Sequence, residues 1–125
     1  KRGKLQVFGK DYDTEDGTCI RDFIHVSDLA SAHVEALNKL IEDENLKNDV
    51  LNIGTGKGTS VLELINKFEQ INNIQLDWEF SDRRPGDVEK IYADCSKVKK
   101  SLNWTCKYTV EDALEHAWNW EKSLK

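Results

Sequence analysis

Apolar positions recur along the chain at two spacings, and they divide it into alternating extended and helical segments. Residues 4–8 read as a short strand, followed by an acidic, polar loop over 9–22 with Gly17 inside it. Residues 23–26 form a brief apolar run of β-formers. Ser27 is the expected N-cap of the next helix, and Asp28 suits its positive end. From there Leu29, Ala32, His33, Ala36, Leu37, Leu40 and Ile41 repeat at helical spacing, and 42–49 is a charged loop. Residues 50–53 predict another strand, which runs into Gly54, Gly56 and Gly58.

The second half continues the alternation. Ser60 and Glu63 make a capping-box pattern, and Leu64, Ile65, Phe68 and Ile71 extend a helical stripe. Residues 76–80 alternate as a strand, 81–88 is a polar turn with the sole proline, and 91–93 is short and extended. One or two helical turns follow over 96–102, then a turn over 103–108. Thr109 caps a final helix to Leu124, with Glu111 and Asp112 in its first turn and Leu114, Ala117, Trp118 and Glu121 on one stripe. Strands alternating with helices place the chain in the α/β class, with mixed short strands and helices.

Charge and composition narrow the chemistry. Twenty-three acidic residues against 18 Lys and Arg give a formal net charge of −5, against a partner held by phosphate neutralisation of nucleic acid. No apolar run approaches the ~20 residues of a membrane span. Three widely spaced cysteines form neither a disulfide ladder nor a Cys-x-x-Cys knuckle, so the expectation is a reduced, cytoplasmic setting. A length of 125 residues fits one domain. With no methionine and an opening Lys1-Arg2-Gly3, that domain is expected to be a piece of a longer protein.

Most candidate sites have a plain structural reading. The loop Gly54-Thr-Gly56-Lys-Gly58-Thr-Ser60 lies between a strand and a helix, as phosphate cradles do. Its spacing fits neither Gly-x-Gly-x-x-Gly nor a P-loop, so a tight structural turn is the better reading. His25, His33 and His116 have no metal-ligand spacing, and Cys19, Cys95 and Cys106 have no sequence neighbour that marks a nucleophile. Without a basic field around them, Trp78, Trp104, Trp118 and Trp120 are expected to pack in the core.

Arg83-Arg84-Pro85-Gly86-Asp87 is more informative. A guanidinium forks onto phosphate oxygens with two parallel bonds, and a nearby carboxylate accepts from sugar hydroxyls. The combination suits a sugar nucleotide, with Arg21 as a third cation; a surface turn with a local Arg–Asp pair is the competing reading.

The run from Phe8 to His33, containing Asp16-Gly17-Thr18 and Arg21-Asp-Phe-Ile-His-Val, closely resembles the UDP-glucose 4-epimerase family of extended short-chain dehydrogenase/reductases. Asn52-Ile-Gly-Thr-Gly56, the Arg83–Asp87 turn, Leu102-Asn-Trp104 and Trp118-Asn-Trp120 extend the resemblance over almost the whole chain. It implies that residues 1–125 are the C-terminal UDP-sugar-binding domain of a larger enzyme. That enzyme's own N-terminal Rossmann domain would bind NAD and carry the catalytic Tyr-x-x-x-Lys. Tyr12, Tyr92 and Tyr108 each lack lysine four residues on, so no catalytic residue is assigned here. The resemblance further implies that Arg21 and Arg84 hold the diphosphate, Asp87 the ribose, and Gln6, Val7 and Phe8 the uracil. Phe23 stands where the family has tyrosine, and Ile91 at a position of varying size beside the sugar. By the same resemblance the parent interconverts UDP-glucose and UDP-galactose through a 4-keto sugar, and this piece alone is inactive. The resemblance leaves room for a homodimeric parent. A non-catalytic sugar-nucleotide or interaction module, or part of a sister epimerase or dehydratase, is the alternative.

Overall fold

The computed structural model describes residues 3–43 and 48–124, so residues 44–47 of the expected charged loop lie outside the described residues. In chain order the elements are β1 (Leu5–Phe8), β2 (Ile20–Arg21), α1 (Val26–Glu42), β3 (Thr59–Ser60), α2 (Val61–Asn72), β4 (Trp78–Ser81), α3 (Ser96–Leu102) and α4 (Val110–Ser123). The architecture is mixed α/β with short strands, as the alternation of patterns predicts. Two two-stranded sheets form: β1 runs parallel to β4, and β2 antiparallel to β3. In the first, Leu5 stands opposite Trp78 and Phe8 opposite Ser81; in the second, Ile20 faces Ser60 and Arg21 faces Thr59.

Local chemistry sets most helix starts. Ser60 Oγ accepts from the Glu63 amide at 3.0 Å while the Glu63 carboxylate accepts from the Ser60 amide, which closes the expected capping box of α2. Thr109 and Asp112 close a second box at α4. At α1 the expected cap is displaced. His25, not Ser27, is the N-cap, its Nδ1 accepting from the Ser27 amide at 2.9 Å. Tertiary packing selects it: the His25 ring stacks on Tyr108 at 4.3 Å, and its Nε2 lies 3.0 Å from His116 Nδ1. Because His25 Nδ1 is an acceptor, its ring proton sits on Nε2 and His116 accepts at Nδ1. Residues 23–25 are therefore an extended lead-in to α1, not a strand.

Three further expectations are corrected. Residues 50–53 form no strand, and no described strand pairs with them; Val50 is 81% exposed. The 9–22 segment is not all loop, since Ile20 and Arg21 make β2 once folding brings Thr59 and Ser60 alongside. Core packing holds for Trp104, which is buried and donates from Nε1 to Ser31 Oγ at 2.8 Å. It does not hold for Trp120, which is 67% exposed on α4. Trp118 sits between these cases, edge-on to Phe68 of α2 at 5.7 Å.

The centre of the core is Ala32, Val98 and Trp104, with Ile24, Leu51, Ile53 and Leu102 around them. Asp28 is fully buried at the start of α1 and accepts from the amides of Lys107 (3.1 Å) and Tyr108 (3.0 Å), tying α1 to the lead-in of α4. Two backbone donors are what make a buried carboxylate tolerable. The outer face of α1 remains uncovered: Val26, Leu37, Leu40 and Ile41 are all exposed. No helix among the described residues is long and apolar enough to cross a membrane.

Candidate functional site

Two loops meet at the C-terminal ends of β1 and β4. Phe8 ends β1, Gly9 follows at φ 81°, and the Gly9 amide donates to the Ser81 carbonyl at the end of β4 at 2.9 Å. That bond places residues 82–87 beside residues 8–12. The second loop turns on Gly86 at φ 85°, with the Asp87 amide donating to the Arg84 carbonyl at 3.2 Å. A left-handed residue at this corner is what a glycine supplies without strain.

The turn gathers the predicted polar residues. Asp87 accepts from Arg84 Nε at 3.1 Å and Nη2 at 3.3 Å, and its Oδ1 lies 3.6 Å from Arg21 Nη2. One carboxylate thus sits between two guanidiniums, leaving a net positive cluster. Arg21 is steadied by donating from Nη1 to the Ile20 carbonyl at 2.8 Å. The Arg84 guanidinium lies 4.6 Å over the Phe8 ring and is 59% exposed, open to a ligand. So Phe8, Arg21, Arg84 and Asp87, far apart in sequence, are brought together. The local Arg84–Asp87 pair is also real, but Arg21 joins it, so the turn is more than a surface ion pair.

The other predicted residues divide. Gln6 lies on β1 and donates from Nε2 to Glu79 Oε1 at 2.8 Å. Val7 is 1% exposed, so its side chain belongs to the core. Along β1, Leu5 donates to Asp77 and Gly9 to Ser81, so ladder alternation leaves the main-chain groups of Gln6 and Phe8 on the open edge of the sheet. Ile91 is joined to the site by its amide, which donates to the Ile20 carbonyl at 3.1 Å, and its side chain is exposed. Phe23 is half-buried, and no hydrogen bond or ring contact ties it to Arg84 or Asp87. Clefts of about 570 and 620 Å³ near the start of α2 are lined by none of these residues. The arginine cluster lies on the open surface at the ends of β1 and β4.

Sequence reading passed over the group that braces this site. Asp22 Oδ1 accepts from the Thr55 amide (2.9 Å) and hydroxyl (2.6 Å); its Oδ2 accepts from the amides of Gly56 (3.0 Å) and Ala93 (3.1 Å). Burial pushes its pKa up, but the bonds from Thr55, Ala93 and Gly56 outweigh that and hold it below the ordinary 3.8. One carboxylate thereby locks the glycine turn and the segment after Ile91 next to Arg21. A Cβ at Gly54 would stand 2.4 Å from Asp22 Oδ2, so the first glycine of that turn is there for close approach. This agrees with the structural reading of the loop. Cys95 and Cys106 also converge there, each donating from Sγ to the Gly54 carbonyl, at 3.2 and 3.1 Å. Burial, with Asp28 nearby, pushes the Cys106 thiol up to about 11, so it remains a donor rather than a thiolate nucleophile.

A family model described as GDP-mannose 4,6 dehydratase matches residues 6–117. The chain belongs to that family. Relatives at 44–49% identity, within the extended short-chain dehydrogenase/reductases, are named UDP-glucose 4-epimerase. The rice protein named UDP-glucose 4-epimerase 1 is 49% identical over 121 residues, 96% of this chain and 34% of its own. The Bacillus subtilis UDP-glucose 4-epimerase is 44% identical over 123 residues, 98% of this chain and 36% of its own. Among solved structures, UDP-glucose 4-epimerase from Stenotrophomonas maltophila with bound NAD and formylated UDP-arabinopyranose superposes with a TM-score of 0.88. It is 41% identical, covering 97% of this chain and 35% of that one. The Bifidobacterium longum enzyme in complex with NAD+ and UDP gives 0.86 at 39% identity, over 98% and 36%. The chain therefore spans about a third of the length of the relatives it matches.

Proposed function

We propose that this chain is the UDP-sugar-binding part of a UDP-glucose 4-epimerase. The reading rests above all on Asp87 lying between Arg21 and Arg84, with Phe8 beside them on an open strand edge. Two forked cations suit the diphosphate, Asp87 accepts from the ribose hydroxyls, and the free main-chain groups of Gln6 and Phe8 match the donors and acceptors of a uracil edge. Val7 contributes backbone only. Ile91, exposed and bonded through its amide to the Ile20 carbonyl, is assigned to the hexose end, and Phe23, which carries no hydroxyl, beside it. The firm hold lies on the nucleotide, which leaves the hexose free to present either face.

In the full-length protein an N-terminal NAD-binding domain partners this one, and NAD supplies reversible hydride exchange at sugar C4. The residues present do not fit that cofactor: their cations surround one carboxylate on an open surface, and no Tyr-x-x-x-Lys accompanies them. The uncovered apolar face of α1 is the surface against which that domain would pack. Alone, the chain is inactive. Incubated with NAD and UDP-galactose it forms no UDP-glucose above background, while the full-length protein does and binds UDP by calorimetry. UDP-glucose formed by the isolated chain, or a full-length protein that ignores UDP, overturns the proposal. Turnover of another nucleotide sugar only would favour a sister epimerase or dehydratase, the reading the family description supports.

A further inference from the structure

Arg83 and Arg84 are adjacent and chemically identical, yet the fold sends them to different partners. Arg84 is open and shares Asp87. Arg83 is engaged away from Asp87: its Nε donates to Asp11 Oδ1 at 2.7 Å, its Nη2 donates to the Asp11 carbonyl, and its guanidinium lies 4.0 Å over the Tyr12 ring. Tyr12 is in turn fixed. It is 5% exposed, its amide donates to the Gly17 carbonyl at 3.0 Å, and its ring occupies the space a Cβ on Gly9 would need, 2.2 Å away. The consecutive arginines therefore seat on two aromatic rings four residues apart, Arg83 on Tyr12 and Arg84 on Phe8. Residues 82–86 are otherwise exposed; the turn is anchored at its start by the Gly9–Ser81 bond and at its end by the Arg21–Asp87 ion pair, so Arg83 supplies the grip on its middle.

We propose that Arg83, gripped by Asp11 and Tyr12, is a positioning residue that presets Arg84 and Asp87 for the diphosphate and ribose without touching either. The inference rests on the nucleotide reading given above. Freed from Asp11 and Tyr12, the turn would sample many conformations, and ordering it again would fall on the ligand as lost affinity. Direct phosphate contact makes the opposite demand: a cation released from its carboxylate should attract a diphosphate more strongly.

Asp11→Ala separates the two, because it removes a negative charge near the site and also the grip on Arg83. Asp11 is exposed, so the fold is not at stake. In the full-length protein, UDP titrated by calorimetry should bind Asp11→Ala and Arg83→Ala each about tenfold more weakly, a cost of ~1.4 kcal/mol. Arg83→Lys, which keeps the charge but not the fork, should recover part of the loss. Raising ionic strength should weaken UDP binding as steeply in Arg83→Ala as in the unmodified protein, and less steeply in Arg84→Ala. Asp11→Ala binding UDP as well as or better than the unmodified protein overturns the proposal and makes Arg83 a phosphate ligand or a bystander. A full-length protein with no affinity for UDP overturns the nucleotide reading itself.

Discussion

Replacing Asp22 with asparagine is the severest test of how the site is braced. The carboxylate accepts four bonds, two on each oxygen. Asparagine can keep the pair from Thr55 on its single oxygen. Its amide nitrogen then points two hydrogens at the Gly56 and Ala93 amides, which are donors themselves. Two hydrogen bonds to a charged acceptor, each worth roughly 1.5–3 kcal/mol, are lost. The expected destabilisation is about 3–6 kcal/mol, a large share of the 5–15 kcal/mol typical of a domain. Because the folded pKa lies below the ordinary 3.8, the carboxylate's contribution is complete above that value and fades as pH falls through the lower folded one. The gap between unmodified chain and variant should thus be full at pH 7 and narrow only below about pH 4. Urea unfolding followed by tryptophan fluorescence at both pH values measures it. A loss under about 1 kcal/mol at pH 7, or a gap unchanged at pH 3, would refute the reasoning.

Two further outcomes follow from the site. Arg84→Ala in the full-length protein should weaken UDP about tenfold to a hundredfold, Arg84→Lys should recover part, and Asp87→Asn should cost less than Arg84→Ala; calorimetry ranks the three. Tyr12→Phe removes a buried hydroxyl that has no hydrogen-bond partner among the described residues, and should raise stability by about 1 kcal/mol, seen as a thermal midpoint a few degrees higher.

What could be read from the sequence was mostly what short stretches decide by themselves. The Ser60–Glu63 box spans one helical turn, so the start of α2 is legible in four letters. Ser27 looks like a better cap than His25 until Tyr108 and His116 arrive from the other end of the chain. Strands β2 and β3 have two residues each, too few for periodicity, and exist only because Ile20 meets Ser60. Residues 50–53 carry the pattern of a strand without a described partner, since pattern records burial and not pairing. At the site, Arg84 and Asp87 were visible because one turn contains both, Arg21 stood out as a third cation in the other polar loop, and resemblance supplied Phe8. No local rule separates Arg83 from Arg84, or marks Asp22 as a four-bond acceptor. Those distinctions are made by segments that meet only in three dimensions.

The parallel pairing of β1 with β4 also constrains when the site can exist. Gln6 meets Glu79 across 73 residues, and Arg83 reaches back 72 residues to Asp11. A parallel connection of that span closes a long loop before any contact rewards it, and such closures are slow. Helices α2 and α4 carry their own caps and can begin early, whereas the site cannot nucleate locally. During synthesis the 8–12 loop waits, unpaired, until the ribosome has released residue 87. The meeting of the 8–12 loop with the arginine turn is thus a late event in refolding, and a refolding chain should recover helical circular dichroism before these two loops close on each other.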